Sequence, residues 1–237
     1  MSRSNQIIAI DGPAASGKTT VASMLANRLG FVYINTGAMY RSLALKVLRA
    51  GIHPEDSAGI ERLLKTTSIS FTRGPEGSAF VTLDGENISD EIKSQEIAQA
   101  ASVISQLPAI RRYMVSQQRK IARRGGTVAE GRDTTTVVFP DARYKFYIDA
   151  SLYVRARRRH RELRARGVCV PLYQLMKDLR KRDLADRTRK ISPLRKDPGA
   201  ILIDTTNLTP EQVVERIEQY LGDSLRREDN AVGLDGG

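Results

Sequence analysis

The residues most able to do chemistry stand near the start of the chain. Gly12-Pro13-Ala14-Ala15-Ser16-Gly17-Lys18-Thr19-Thr20 places two glycines five apart with a lysine and a hydroxyl directly after the second. Phosphate oxygens need many donors at close range. A glycine-rich turn aims successive backbone N–H groups inward, and a following helix adds the positive end of its dipole. In such a P-loop, Lys18 reaches the β and γ phosphates of a nucleoside triphosphate and Thr19 holds Mg²⁺. The apolar run Gln6 to Ile10 before it reads as a buried strand, and Val21, Met24, Leu25 and Leu29 after it as one face of a helix over Gly17 to Leu29. That context separates the motif from a chance glycine turn. GTPases, motor ATPases and small-molecule kinases all use it, but the chain has no Asn-Lys-x-Asp guanine-reading motif, and 237 residues cannot hold the extra domains of large ATPases. A small-molecule kinase is the leading class.

Such an enzyme needs a second anion site facing the loop and a mobile cover that keeps water from the γ-phosphate. Arginines mark both. Tyr40-Arg41 follows Asn35-Thr36-Gly37 after a second short strand, Phe31 to Ile34, and Gly131-Arg132-Asp133 follows a strand over Thr127 to Glu130. Both arginines therefore emerge where strand ends meet a crevice. The chain carries 38 Lys/Arg against 27 Asp/Glu, a net charge of +11, which predicts a polyanionic partner. Arg155 to Lys196 alone holds 16 Lys/Arg and four Asp/Glu, so the excess belongs to one internal segment. Leu172, Leu175, Met176 and Leu179 give it helical spacing. It reads as the cover: one helix with Arg155, Arg157, Arg158 and Arg159, and another with Arg182, Arg187 and Arg189.

These groups need a frame of alternating strands and helices. A second helix is expected over Gly37 to Ala50, further strands over Tyr144 to Asp149 and Ala200 to Asp204, and helices around Ile97 to Ile104 and after Pro108. This is α/β patterning with about five parallel strands. Between residues 61 and 92 the rhythm changes: Ile69-Ser70-Phe71 and Phe80-Val81-Thr82-Leu83 flank the turn-rich Arg73 to Gly77, and Asp84-Gly85 supplies another turn. A small antiparallel insert is expected there. Thr209-Pro210-Glu211-Gln212 forms a capping box for a last helix ending at Gly222. The charged stretch after it, 223–237, reads as a disordered tail.

With these motifs in place the chain resembles bacterial cytidylate kinase. The resemblance rests on Gly12 to Thr20, Asn35 to Arg41, Gly131-Arg132-Asp133 followed by Val137 to Ala142, and Arg182-Asp183 running to Asp186-Arg187-Thr188-Arg189, in order, from about Ile7 to Leu221. It implies a three-layer P-loop nucleoside monophosphate kinase fold, with a core of residues 1–60 and 93–222, a helical lid at about 153–192 and a monophosphate-binding insert at 61–92. It also implies transfer of the ATP γ-phosphate to CMP or dCMP, with Mg²⁺ carried on the nucleotide. Lys18, Arg132 and Arg189 are then the catalytic cations, and Arg158 joins the loop in binding ATP. Arg41, Arg132 and Arg189 hold the CMP phosphate with Tyr40 nearby. Ser102, Arg111 and Asp133 read cytosine, with Thr36 close to the nucleotide, and Arg182 and Asp186 meet the sugar hydroxyls. Thr134-Thr135-Thr136 departs from the hydrophobic residue and glycine usual after Gly-Arg-Asp, so an altered turn is expected beside the base site. Asp183 is left without a role.

Alternatives are another small acceptor such as UMP, or an RNA-binding regulatory ATPase using the basic segment. Only Tyr173 among aromatic residues lies within that segment, which argues against stacking on RNA. One cysteine, Cys169, excludes an internal disulfide and any cysteine zinc cluster, so metal must come through oxygen ligands. No run approaches the length of a membrane helix, and the start lacks a signal-peptide core. A cytoplasmic monomer with ATP and CMP as partners, and no stable nucleic-acid partner, is expected.

Overall fold

The computed structural model describes residues 6–73 and 79–232. Five strands, β1 (Ile7–Asp11), β2 (Val32–Asn35), β6 (Thr127–Gly131), β7 (Tyr144–Asp149) and β8 (Ile201–Asp204), form one sheet in the order β2-β6-β1-β7-β8. Every pair is parallel. Parallel strands need helices on both faces, and the near-continuous apolar strands reflect that double burial. On one face Ile8, Ile10 and Val128 pack against α1 (Lys18–Leu29) and α8 (Pro210–Val232) through Val21, Leu25, Val214 and Ile217. On the other, Ile34 and Ala129 pack against α2 (Thr36–Arg49), α4 (Gln95–Ile104) and α5 (Pro108–Ala122) through Leu43, Ile104, Ile110 and Met114. Alternate residues of one strand thus serve opposite cores.

The register aligns the strand ends that carry the chemistry. Asp11 lies opposite Gly131 and Tyr147, and Glu130 opposite both Ile10 and Asn35. Since β6 and β7 flank β1, the chain reverses its direction of growth across the sheet at β1, and a crevice opens at that edge. Gly12 is needed at the turn out of β1. Its φ is +150°, and a Cβ there would stand 2.0 Å from the Ile148 carbonyl oxygen of β7.

The expected insert is present as a three-stranded antiparallel sheet, β3 (Ile69–Arg73), β4 (Ala79–Leu83) and β5 (Glu86–Asn87). The turn expected at Arg73 to Gly77 lies, from residue 74, outside the described residues. A helix absent from the sequence reading, α3 (Ser57–Leu64), precedes the insert, so a boundary at residue 61 cuts through it. Its cause is local: the Asp56 side chain caps the helix by accepting from the Gly59 N–H at 2.9 Å, and Ile60 and Leu64 face the core.

The basic segment forms α6 (Leu152–Arg164) and α7 (Leu172–Thr188), which share a small core of Ala156, Leu175 and Leu179 with Ala14 of the loop. Two expectations are corrected here. Arg189 is not in a helix but caps the end of α7 with extended backbone. The last helix, whose Thr209 and Gln212 exchange the expected capping bonds at 2.9 and 3.3 Å, runs past Gly222 to Val232 instead of ending there. The residues beyond Gly222 include no proline and no further glycine before Gly233, so a single helical glycine does not stop propagation. Residues 233–237 lie outside the described residues.

Candidate active site

The loop from Gly12 to Thr20 joins β1 to α1, and Gly17 caps α1 in left-handed backbone with φ of +95°. Ala15 is also left-handed at φ +59°, a conformation that turns its neighbours' N–H groups to one side. Lys18 is buried and donates to the Pro13 carbonyl at 2.6 Å, folding back over the loop. Burial, then the charge of Arg132, brings its ammonium down to about 7, against the opposing pull of Glu130, Asp11 and Asp186. Thr19 Oγ1 donates to Glu130 Oε1 at 2.8 Å. The hydroxyl and carboxylate are hard oxygen donors of the kind Mg²⁺ accepts, and no cluster of three or more His, Cys, Asp or Glu able to hold a metal alone occurs among the described residues. The fit is to an ion delivered with phosphates.

Arg158, expected at ATP, lies against the loop. Its guanidinium donates to the Ser16 carbonyl at 3.1 Å and to the Thr205 carbonyl at 2.7 Å. Arg155 is more deeply tied, to the Ala14 carbonyl at 3.3 Å and to Asp183 Oδ2 at 2.7 Å, so Asp183 gains the role that sequence left open. Together they fasten the two cover helices to the loop.

Across the crevice, at the end of β6, most of the residues expected to hold the acceptor gather. Arg132 Nε donates to Asp186 Oδ2 of α7 at 2.7 Å. Asp133, buried, pairs through Oδ2 with Arg111 of α5, while Arg189 Nη2 stands 3.8 Å from its Oδ1. Arg111 also donates to Ser192 Oγ at 2.7 Å and to the Ser105 carbonyl at 3.2 Å. Tyr40 lies with its ring 5.8 Å from the Arg111 guanidinium carbon, and burial pushes its hydroxyl up to about 12. Thr36 Oγ1 donates to the Glu130 carbonyl at 2.9 Å, which holds the start of α2 to the end of β6. Ser102 is exposed on α4, one turn before Ser105. Burial lowers Arg41, assisted by Arg132 and opposed by Glu130. Burial also brings Arg182 down to about 10, aided by Arg132, Arg41 and Arg159. Crowding of cations is what an anion site does before its anion neutralises it.

Buried polar atoms without a hydrogen-bond partner concentrate at these positions: Tyr40 Oη, Arg41 Nε, Thr134 Oγ1, Thr136 Oγ1 and Arg189 Nη2. Folded proteins rarely leave such atoms unpaired, so the cluster marks a ligand surface. Two residues there went unnoticed in the sequence. Asp11 is fully buried and accepts from the Thr134 N–H at 2.8 Å, the Thr135 N–H at 2.7 Å and Thr135 Oγ1 at 2.6 Å. It thereby fixes a single wide helical turn over Thr134–Val138, the altered turn expected after Asp133. Glu130 is the other. Both are acids ending apolar strands beside a glycine, a costly placement that signals a fixed partner.

The chain matches the family described as cytidylate kinase over residues 8–223. It belongs to the cytidylate kinase family. A cytidylate kinase from Caldanaerobacter subterraneus subsp. tengcongensis is 49% identical over 221 residues, covering 93% of this chain and 96% of that protein. One from Pelotomaculum thermopropionicum is 46% identical over 210 residues, covering 89% and 93%. Among solved structures, a shikimate kinase from Acinetobacter baumannii in complex with shikimate superposes with a TM-score of 0.45 at 17% identity, over 94% of this chain and 96% of that one, too loose a likeness to add to the argument. The five-stranded parallel sheet with its phosphate loop and small antiparallel sheet is the frame of this cytidylate kinase family member.

Proposed function

We propose that this protein transfers the γ-phosphate of ATP to CMP or dCMP, giving ADP and CDP or dCDP. The observation that carries the reading is the meeting, at the end of β6 beside the Lys18 loop, of Arg132 and the buried Asp133–Arg111 pair with Arg189 from the end of α7, while Arg41 of α2 feels the charge of Arg132. Family membership and the cytidylate kinase relatives support it. A phosphate oxygen of the acceptor attacks the γ phosphorus in line, and the bond to the β-bridging oxygen breaks. No covalent intermediate is needed, because bringing two anions together is a task for cations. Lys18 follows the moving charge, and the backbone from Gly12 to Thr20 cradles the donor phosphates. Thr19, with Glu130 behind it, would hold Mg²⁺, which would supply positive charge against the donor phosphates.

Arg41, Arg132 and Arg189 clamp the CMP phosphate beside Tyr40 and Thr36. Cytosine offers an amino donor and ring acceptors, which Asp133, Arg111 and Ser102 complement, and uracil presents an acceptor where Asp133 needs a donor. Arg182 and Asp186 take the sugar. Helices α6 and α7 act as the lid, anchored through Arg155 and Arg158, and the three-stranded sheet belongs to the acceptor side. Both sites come from one chain, so a monomer suffices, and no described helix is long and apolar enough to cross a membrane, in keeping with a cytoplasmic enzyme. The test is Arg132→Ala. Loss of one charge-assisted contact, roughly 1.5–3 kcal/mol, should lower kcat/KM for every acceptor alike by about 10- to 150-fold. Unchanged kcat/KM for CMP would overturn the clamp.

A further inference from the structure

Beyond the substrate cleft, a groove of about 770 Å³ runs along the outer side of α5 and ends against Ile191 and Ser192. Its cationic lining is Arg111, Arg112, Arg119, Lys120 and Arg123, and no carboxylate among the described residues lines it. The imbalance begins in the sequence: between Glu96 and Glu130 there are six Lys/Arg and not one Asp or Glu. In the +11 net charge only the cover shows, because acids elsewhere cancel this second basic stretch in the sum.

Two of the five cations are committed within the fold. Arg111 pairs with Asp133, and Arg119 donates to the Val138 and Val137 carbonyls at 2.8 and 2.9 Å. Arg112, Lys120 and Arg123 are exposed, and none forms an ion pair or side-chain hydrogen bond among the described residues. They sit at helical spacings of eight and three, which puts them on one stripe. At 1.5 Å per residue the stripe is roughly 16 Å long, more than a single phosphate can bridge. Val115, Val137 and Ile191 supply an apolar wall beside it. A volume near 800 Å³, an extended row of unneutralised cations and an apolar wall suit a ligand with a phosphate chain and one small apolar body. They do not suit a nucleic acid strand, since no aromatic side chain among the described residues lines the groove for stacking.

We propose that this groove is a second anion site, adjoining the acceptor site at Arg111, that takes a triphosphate chain, either as inorganic tripolyphosphate or as the tail of a nucleoside triphosphate. Charge complementarity assigns the chain to the Arg112–Lys120–Arg123 stripe. The groove shares Arg111 and Ser192 with the residues that hold Asp133, so its occupant lies directly behind the base-reading pair.

The experiment is calorimetric titration of the full-length protein, with Mg²⁺, after both substrate sites are saturated with CMP and a non-hydrolysable ATP analogue. Tripolyphosphate and, separately, GTP are the titrants. The expected result is one additional site in the wild type, weakened at least tenfold by Lys120→Glu with Arg123→Glu. A control pair at α3, exposed Arg62→Glu with Lys65→Glu, makes the same charge change and should keep it. CMP turnover should survive in both variants. GTP binding several-fold tighter than tripolyphosphate assigns the apolar wall to the base, and equal binding assigns the site to the phosphate chain alone. No additional site, equal weakening by both variant pairs, or binding of single-stranded RNA without binding of tripolyphosphate would overturn the proposal.

Discussion

Replacing Asp133 probes fold and specificity together. Asp133 and Arg111 are each only 5% exposed, and the carboxylate faces Arg111 through one oxygen and Arg189 through the other. Asp133→Ala therefore strands a buried guanidinium. Breaking a buried pair from one side costs about 3–5 kcal/mol. For a chain of this size each kcal/mol moves the melting temperature by roughly 2–4 °C, so a drop of about 6–20 °C is expected in the nucleotide-free protein. The catalytic effect is separate. CMP loses the acceptor for its amino group, a deficit of about 1–3 kcal/mol for a buried donor left unpaired, whereas UMP is relieved of a carboxylate facing its carbonyl. The CMP-to-UMP ratio of kcat/KM should fall roughly 5- to 150-fold. Thermal melts by circular dichroism and steady-state ADP formation with both acceptors read the two effects. Asp133→Asn, which keeps one acceptor oxygen, should melt closer to wild type and still lose selectivity. A melting temperature within 2 °C of wild type for Asp133→Ala, or equal proportional losses for CMP and UMP, would refute the reasoning.

Three further outcomes are expected. Because Lys18 titrates near 7 in the fold and near 10.5 when unfolded, the unfolded chain binds more protons between those values, so this group makes the nucleotide-free protein more stable as pH rises from about 7 toward 10.5. ATP restores the charge, so calorimetry in buffers of different ionisation enthalpy at pH 8–9 should show uptake of up to about one proton that Lys18→Met abolishes; the same uptake in the variant contradicts this. Glu130→Gln should raise the Mg²⁺ concentration for half-maximal rate by about tenfold or more while leaving the CMP KM near wild type, measured by Mg²⁺ titration at fixed ATP. Thr135→Val removes one donor to Asp11 and should cost roughly 1.5–3 kcal/mol in chemical denaturation, raise the CMP KM and spare the ATP KM, with Thr135→Ser restoring both.

Much of the frame was legible because its signals are local. The apolar run before Gly12 and the 3.6-residue stripe after Lys18 announce β1 and α1, and Leu172, Leu175 and Leu179 announce α7 at the spacing with which they pack. The tertiary partners were not. Nothing in the spacing of Asp183 says that it will meet Arg155 of α6, and the capping role of Asp56 was hidden in a polar stretch that reads as loop. Asp11 and Glu130 were overlooked because each ends an apolar strand and reads there as the first polar residue of a turn. Their meaning comes from parallel register, which sets Asp11 opposite Gly131 and lets its carboxylate reach the next two N–H groups beyond Asp133. The charge pattern puts Arg189 in a helix, whereas the chain leaves the helix at Thr188 and so turns Arg189 toward Asp133.

The central claim is acceptor choice, and one measurement meets it most directly: initial rates of ADP formation from ATP and Mg²⁺ with CMP, dCMP, UMP, AMP, GMP and no acceptor, side by side, with the phosphorylated product identified by ³¹P NMR. Rapid ADP formation is expected with CMP or dCMP, matched by the corresponding diphosphate, with a lower kcat/KM for UMP and little ADP without an acceptor, because the lid arginines close on two bound nucleotides. Equal ADP production with and without every monophosphate, or a purine monophosphate preferred over CMP, would contradict it.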